Sequence, residues 1–483
     1  MKIDYPNLSL LIGGYQVVGD EWRDIVNPAD LAVVGRYPVI TPAQLDTTVE
    51  QAHAAFLSWR KSSPVTRSEV LLCASRWLGD HVAEIATAIT LEQGKPLAQA
   101  RAEVARAREI IEWDAGEARR LYGRVIPSER GMRHTVIRKP YGVVAAFSPW
   151  NYPISNAVRK VSGAVAAGCG VILKPAEETP AGGYYLAQAF IEAGVPAGLV
   201  SLVTGVPDRI SSQLIADERI RLVAFTGSTA VGKSLTALAG QHMKPVIMEL
   251  GGHAPVIVCE DADPVAAAKA GLVAKSRNAG QICTAVSRFF VHESLYEKFT
   301  AEFAFRGAAL RMGPGILEST ELGPLANARR VAAMERLVQD AISKGAKLVC
   351  GGQRTKREGH FYPLTVLGNV PDDAAAMQEE PFGPLALVTP YRTLDEAIRR
   401  ANAIPFALSA YAFTDSSRNV YQLTEELECG NLSINHLVGS VAETPFGGIK
   451  QSGIGREGGS EGVAAYTYVK CISQRTFLAE ELT

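Results

Sequence analysis

Between Thr41 and Tyr122 apolar side chains return every three or four positions. Val49, Ala52, Ala55, Phe56 and Trp59 form one such set, and Val70, Leu71, Ala74, Trp77 and Leu78 another. That spacing puts each set on one face of a helix, so the whole stretch is expected to be helical. Gly94-Lys95-Pro96 interrupts it, and a long, charged helix is expected over roughly 97–120. Ahead of this region, residues 1–40 read as short strands and turns punctuated by Gly13-Gly14 and Asn27-Pro28. Beyond it the pattern changes. Thr135–Arg138 reads as a strand ending at Pro140, and compact apolar runs follow at Val143–Phe147, Val171–Leu173, Val200–Val203, Leu222–Phe225 and Val246–Met248. Each run adjoins a helical segment, which predicts βαβ units, a mostly parallel sheet and an α/β fold.

From about Ala262 a second α/β region is expected. Its helices lie near 264–275, 294–310, 328–344, 393–402 and 416–427, with strands such as Phe289–His292, Leu348–Cys350 and Ala410–Phe413. The tail Tyr466–Ser473 alternates like a strand and has no helix after it. An exposed edge strand usually needs covering, so pairing with another subunit is expected there. No internal repeat or low-complexity segment is visible.

Composition narrows the class. A chain of 483 residues with 47% hydrophobic and 20% charged residues suits a soluble globular protein with a large core. Lys and Arg number 49 against 50 Asp and Glu, a net charge of −1, so no global field favours nucleic acid or an anionic membrane. The start Met1–Pro6 has no apolar h-region and does not read as a secretory signal. No uninterrupted apolar run reaches the roughly 18 residues of a membrane span. Seven cysteines are scattered without a C-x-x-C pair, which argues against a disulfide framework or a metal cage and for a reducing cytoplasm.

Two motifs point toward phosphate. Gly227–Ser234 matches the P-loop pattern, after a strand and before a helix, and Val256–Asp261 reads as an acidic strand that could hold magnesium. A P-loop NTPase is therefore an alternative reading. The same two glycines equally suit a strand-to-helix turn that brings backbone N–H groups to a pyrophosphate. Gly453–Gly458 matches G-x-G-x-x-G but follows a polar loop instead of a strand, so it reads as a glycine-rich loop.

Other stretches carry candidate chemistry. In Asn278–Cys283 a cysteine without a metal-ligand partner beside it follows a glycine-containing turn, as a nucleophile would. Glu249 stands 34 residues before Cys283 at the end of an apolar strand. It could act as a general base on water, although a strand-end carboxylate capping a turn is the simpler reading of Glu249 alone. Asn151, in Pro149–Pro153, offers amide donors for an oxyanion or caps a helix. Lys174 and Glu177 follow a strand end, where doubly wound sheets bind ligands. They could bond ribose hydroxyls or form a surface ion pair.

Taken together these stretches resemble the NAD(P)-dependent aldehyde dehydrogenase superfamily. The motifs occur in the family's order: PWNYP at 149, KPAEETP at 174, FTGSTAVG at 225, ELGG at 249, NAGQIC at 278, EEPFGP at 379 and PFGGIKQSGIGRE at 445. The resemblance implies Cys283 as nucleophile, Glu249 as general base and Asn151 as oxyanion donor. It implies Lys174 and Glu177 at the adenosine ribose, Ser228 and Gly232 at the pyrophosphate turn, and Glu380 and Phe382 at the nicotinamide riboside. Trp150, Gly227 and Leu250 join them as cofactor contacts. The implied fold has a Rossmann-like cofactor domain (1–121, 142–251 and 445–462), an α/β catalytic domain (252–444) and a small β oligomerisation arm (122–141 and 463–483). A homodimer or homotetramer is expected.

The same resemblance bears on the reaction. Members that transfer acyl groups to coenzyme A lack an acid at the Glu249 position, so hydrolysis of the thioester is expected. Glu177 would repel a 2′-phosphate, which favours NAD over NADP. Arg277 lies six residues before Cys283 and Arg159 eight after Asn151. Both match arginines that clamp the distal carboxylate in succinate-semialdehyde dehydrogenases, and Ser440 is near a third contact. Alternatively, Arg159 pairs with a surface acid and Arg277 braces its loop. That subfamily often carries a second cysteine two residues after the nucleophile, where this chain has Ala285. The expected substrate is thus a semialdehyde with a distal carboxylate, with aromatic or other aliphatic aldehydes as the alternative.

Overall fold

The five apolar runs between 143 and 249 form five adjacent parallel strands. Across the sheet they stand in the order Val200–Leu202, Gly170–Lys174, Val143–Phe147, Ile220–Thr226, Val246–Glu249. The chain steps outward from the first strand to the third, then returns to the first strand's other side with the fourth. The winding therefore reverses beside Val143–Phe147, and in open α/β sheets the crevice beyond the strand ends at that point receives ligands. Antiparallel strands close both edges, Leu10–Ile12 with Tyr15–Val17 on one side and Gly453–Ile454 on the other.

Strands covered on both faces read as continuous apolar runs because successive side chains enter different cores. Val144, Ala146, Val171 and Leu173 share one core with the five helices between Pro64 and Glu192, which contribute Leu71, Ile111 and Val161 among others. Val143, Ala145 and Ile172 face the opposite way, against Leu45, Val49 and Phe56. The helical region expected from periodicity forms as Pro42–Trp59, Pro64–Asp80, Val82–Gln93 and Leu97–Ala118. Gly94 closes the third of these at φ 92°, a left-handed position that glycine adopts without a Cβ penalty.

A second sheet follows, with its own core. Its six parallel strands are ordered Thr365–Gly368, Leu385–Tyr391, Val286–His292, Ala254–Val258, Ser409–Phe413, Asn431–Ile434, and Lys347–Cys350 pairs antiparallel at one edge. The tail strand Thr467–Arg475 pairs over its whole length with Met132–Pro140 of the same chain, and Arg124–Ile126 extends that small sheet. One edge of the tail strand is thus covered from within.

This computed structural model describes residues 5–475. Met1–Asp4 of the segment read for a leader, and 476–483 of the expected arm, lie outside the described residues. Among the described residues no helix is long and apolar enough to cross a membrane.

Candidate active site

The strand Val143–Phe147 runs into Pro149–Pro153 and then the helix Ser155–Ala167. No side chain caps this helix at its own N-cap, Ile154. Instead the free N–H groups of Ile154 and Ser155 donate to Glu103 Oε1 at 3.1 and 3.2 Å. Asn151 is not the cap. Its Nδ2 donates to the main-chain oxygen of Gln281 at 3.0 Å, which turns the amide toward the cysteine loop.

That loop leaves the helix Pro264–Ser276 through an unusual backbone. Asn278, Ala279 and Gly280 have φ of 47°, 50° and 71°. For the two non-glycine residues such left-handed conformations cost about 1–3 kcal/mol each and persist only when neighbours over-determine them. The neighbours here are specific. Gln99 Oε1 accepts from Asn278 N at 2.8 Å, Asn278 Nδ2 donates to the Asn151 carbonyl at 2.9 Å, and Gln281 Oε1 accepts from Ala326 N at 2.9 Å. At Gly280 a Cβ would lie 2.1 Å from the Gly383 oxygen. The loop delivers Cys283 half-buried, and burial, with Glu380 and Glu249 nearby, pushes its thiol up to about 12.

Glu249 ends the strand Val246–Glu249 and is 2% exposed. Among the described residues neither carboxylate oxygen has a hydrogen-bond partner, so the turn-capping reading does not hold. Burial, and then the charge of Glu457, hold its proton affinity well above the usual carboxylate range, against the opposing pull of Lys160 and Arg159. Glu457 is itself paired with Lys160 at 2.7 Å. The loop matching G-x-G-x-x-G therefore places a carboxylate near Glu249.

Two cavities meet at Cys283 and Asn151, which line both. The larger, about 330 Å3, holds Arg159, Arg277 and Ser440, the three expected substrate contacts. Arg159 is buried, donates through Nη2 to Ser440 Oγ at 3.1 Å, lies 5.3 Å from the Phe446 ring centroid, and leaves Nη1 without a partner. It pairs with no surface acid. The Arg277 side chain is exposed and makes no hydrogen bond or ion pair among the described residues, so its guanidinium does not brace the loop. A third guanidinium, Arg106, also lines this cavity and donates to the Ser440 carbonyl and to Glu109. Sequence reading missed it. The available signal was the spacing of Glu103, Arg106 and Ile110, which share one face of the charged helix and all line the cavity.

The smaller cavity, about 150 Å3, is lined by Trp150, Gly227, Ser228, Leu250, Glu380 and Phe382 among others. It lies where the winding of the first sheet reverses. Ser228 caps the helix Thr229–Gln241, accepting from Val231 N, and leaves the helix start open to an anion. Gly232 is needed there, because a Cβ would sit 2.2 Å from Leu250 Cδ2. Glu380 Oε1 accepts from Gly252 N at 2.9 Å, and burial lifts its carboxyl to about 7. The Trp150 and Phe382 rings meet edge to face at 5.3 Å. Lys174 and Glu177 pair with each other outside this lining, Lys174 buried and Glu177 half-buried. Cradle, carboxylate and ring wall fit a dinucleotide.

The P-loop reading fails on placement. Lys233 points to Gln451 Oε1 at 2.9 Å. The supposed acidic strand belongs to the second sheet, where Asp261 accepts from Thr414 and from the N–H groups of Asp415 and Ser416. Among the described residues no group of three or more His, Cys, Asp or Glu side chains is arranged to hold a metal ion.

Residues 18–472 match the aldehyde dehydrogenase family. A 4-(hydroxymethyl)benzenesulfonate dehydrogenase of Comamonas testosteroni is 42% identical over 463 residues, covering 94% of this chain and 96% of that protein. The NADP(+) succinate-semialdehyde dehydrogenase of Escherichia coli K12 is 38% identical over 476 residues, covering 97% and 99%. The crystal structure of succinate-semialdehyde dehydrogenase from Burkholderia pseudomallei superposes with a TM-score of 0.96 at 37% identity, covering 99% of both chains.

Proposed function

Because the chain belongs to the aldehyde dehydrogenase family, we propose that it oxidises an aldehyde bearing a distal anionic group, succinate semialdehyde in type, to the carboxylic acid through a thioester on Cys283. Cys283 attacks the aldehyde carbon through its sulfur, the raised thiol giving up its proton as the S–C bond forms. The oxygen that gains charge faces the Asn151 amide and the Cys283 N–H, and a donor of this kind contributes about 10²–10³ in kcat. NAD, when bound, supplies the hydride acceptor. Glu249 then takes a proton from the water that cleaves the thioester; its two unpartnered oxygens leave room for that water. Hydrolysis, not transfer to coenzyme A, is the reading this carboxylate supports.

The observation that carries the substrate class is the pair of guanidinium groups in the cavity that holds Cys283, Arg159 buried with Nη1 unpartnered among the described residues and Arg277 exposed. A buried guanidinium with a free N–H, facing the same cavity as a second arginine, favours an anion with matching oxygens. The decisive measurement is kcat/KM across aldehydes with and without a terminal carboxylate. Arg277→Ala should lower the value for the carboxylate substrate by about tenfold or more and leave a neutral aldehyde of equal length within about twofold. Equal losses on both would sink the clamp. A second reading, an aromatic aldehyde with an anionic substituent, draws on the Comamonas relative and on Tyr152 and Phe446 in the same cavity.

We assign NAD over NADP to the Glu177 carboxylate, held against Lys174. A 2′-phosphate there meets a like charge, so kcat/KM should favour NAD, and Glu177→Ser should narrow that preference. An unchanged ratio in the variant would remove Glu177 as its cause. The proposed division of labour keeps 1–121, 142–251 and 445–462 for the dinucleotide, 252–444 for catalysis, and 122–141 with 463–483 for assembly as a homodimer or homotetramer. Seven unpaired cysteines suit a reducing compartment, the cytoplasm.

A further inference from the structure

Lys95 and Glu103 form an ion pair whose side chains are fully buried, at 2.5 Å. Removing two charges from water is costly, and such pairs are weak sources of stability. Their contacts run toward the active site. Lys95 Nζ donates to the Asn151 carbonyl at 2.7 Å and lies 3.9 Å from the Tyr152 ring centroid. Glu103 uses its second oxygen to hold the start of the helix Ser155–Ala167. The Asn151 carbonyl also receives Asn278 from the cysteine loop. One carbonyl thus joins the buried pair, the Asn151 turn and the Cys283 loop.

We propose that Lys95 and Glu103 are positioning residues that aim the Asn151 amide at the oxygen of a Cys283 adduct. The pair fixes the 151–152 peptide plane from one end and the helix start from the other. This rests on the reading of Asn151 as oxyanion donor, and a displacement of about 1 Å in such a donor costs on the order of 10²-fold.

The test compares two reactions of Cys283 that need no dinucleotide. Acylation by p-nitrophenyl acetate passes through a tetrahedral oxyanion and releases p-nitrophenolate. Alkylation by iodoacetamide displaces iodide at a saturated carbon and forms no oxyanion. Lys95→Met should slow acylation at least about tenfold and leave alkylation within about twofold. The double variant Lys95→Met/Glu103→Gln, which strands no buried charge, should behave alike and covers the case in which the single variant does not fold. Parallel loss of both reactions, or no loss of either, overturns the proposal. Asn151→Ala separates the two layers. If it acylates normally, the oxyanion reading fails and the positioning proposal with it. If it is slow while the Lys95 variants are normal, only the positioning proposal fails.

Discussion

Among the described residues Glu249 meets no hydrogen-bond donor, and it meets little solvent, so its protonation is set chiefly by burial and then by Glu457. A carboxyl raised in this way is protonated at pH values where an ordinary one is ionised. It becomes a base only as pH climbs through its raised value, so turnover limited by thioester hydrolysis should rise with pH beyond the normal carboxylate range. Glu249→Gln should lower steady-state turnover by about 10²-fold or more, abolish that rise and leave a stoichiometric burst of NADH with acyl-enzyme visible by intact mass. Undiminished turnover would remove Glu249 from the mechanism. Cys283, Asn151 and Glu249 were legible in the sequence because their chemistry restricts residue type within short motifs. Lys95, Glu103 and Arg106 were not. A lysine between glycine and proline reads as a breaker, and charges on a long helix read as a solvated face, until the partners from residues 151–155 and 440 are known.

The left-handed run Asn278–Gly280 is the element that most constrains the site, because it sets where the chain reaches Cys283. Gly280→Ala should destabilise the fold by a few kcal/mol, since the new Cβ would meet the Gly383 oxygen and φ is positive. Thiol alkylation should slow with it; wild-type stability and reactivity together would show that the turn relaxes freely. Elements with strong periodicity were readable, the helices between 42 and 118 and the five strands from 143 to 249 among them. Thr365–Gly368, Leu385–Tyr391 and Asn431–Ile434 were harder. The first and last are four residues long, and Leu385–Tyr391 contains Pro390, whose missing N–H argues against a strand.

At the scale of the molecule the tail strand is the unfinished surface. From Tyr468 to Arg475 every residue is exposed, and Tyr468, Val469 and Ile472 are large and apolar. Long exposed strands of this composition are covered in stable proteins. Val469→Asp should therefore reduce the particle mass measured by light scattering, with the fold intact by circular dichroism; an unchanged mass would direct attention to another face. The two cavities that share Cys283 and Asn151 have a consequence for the two ligands. The nucleophile stands in a partition wall between two rooms, the proposed aldehyde contacts in one and the proposed dinucleotide contacts in the other. On that reading, a bulkier side chain in one room should weaken one ligand and spare the other.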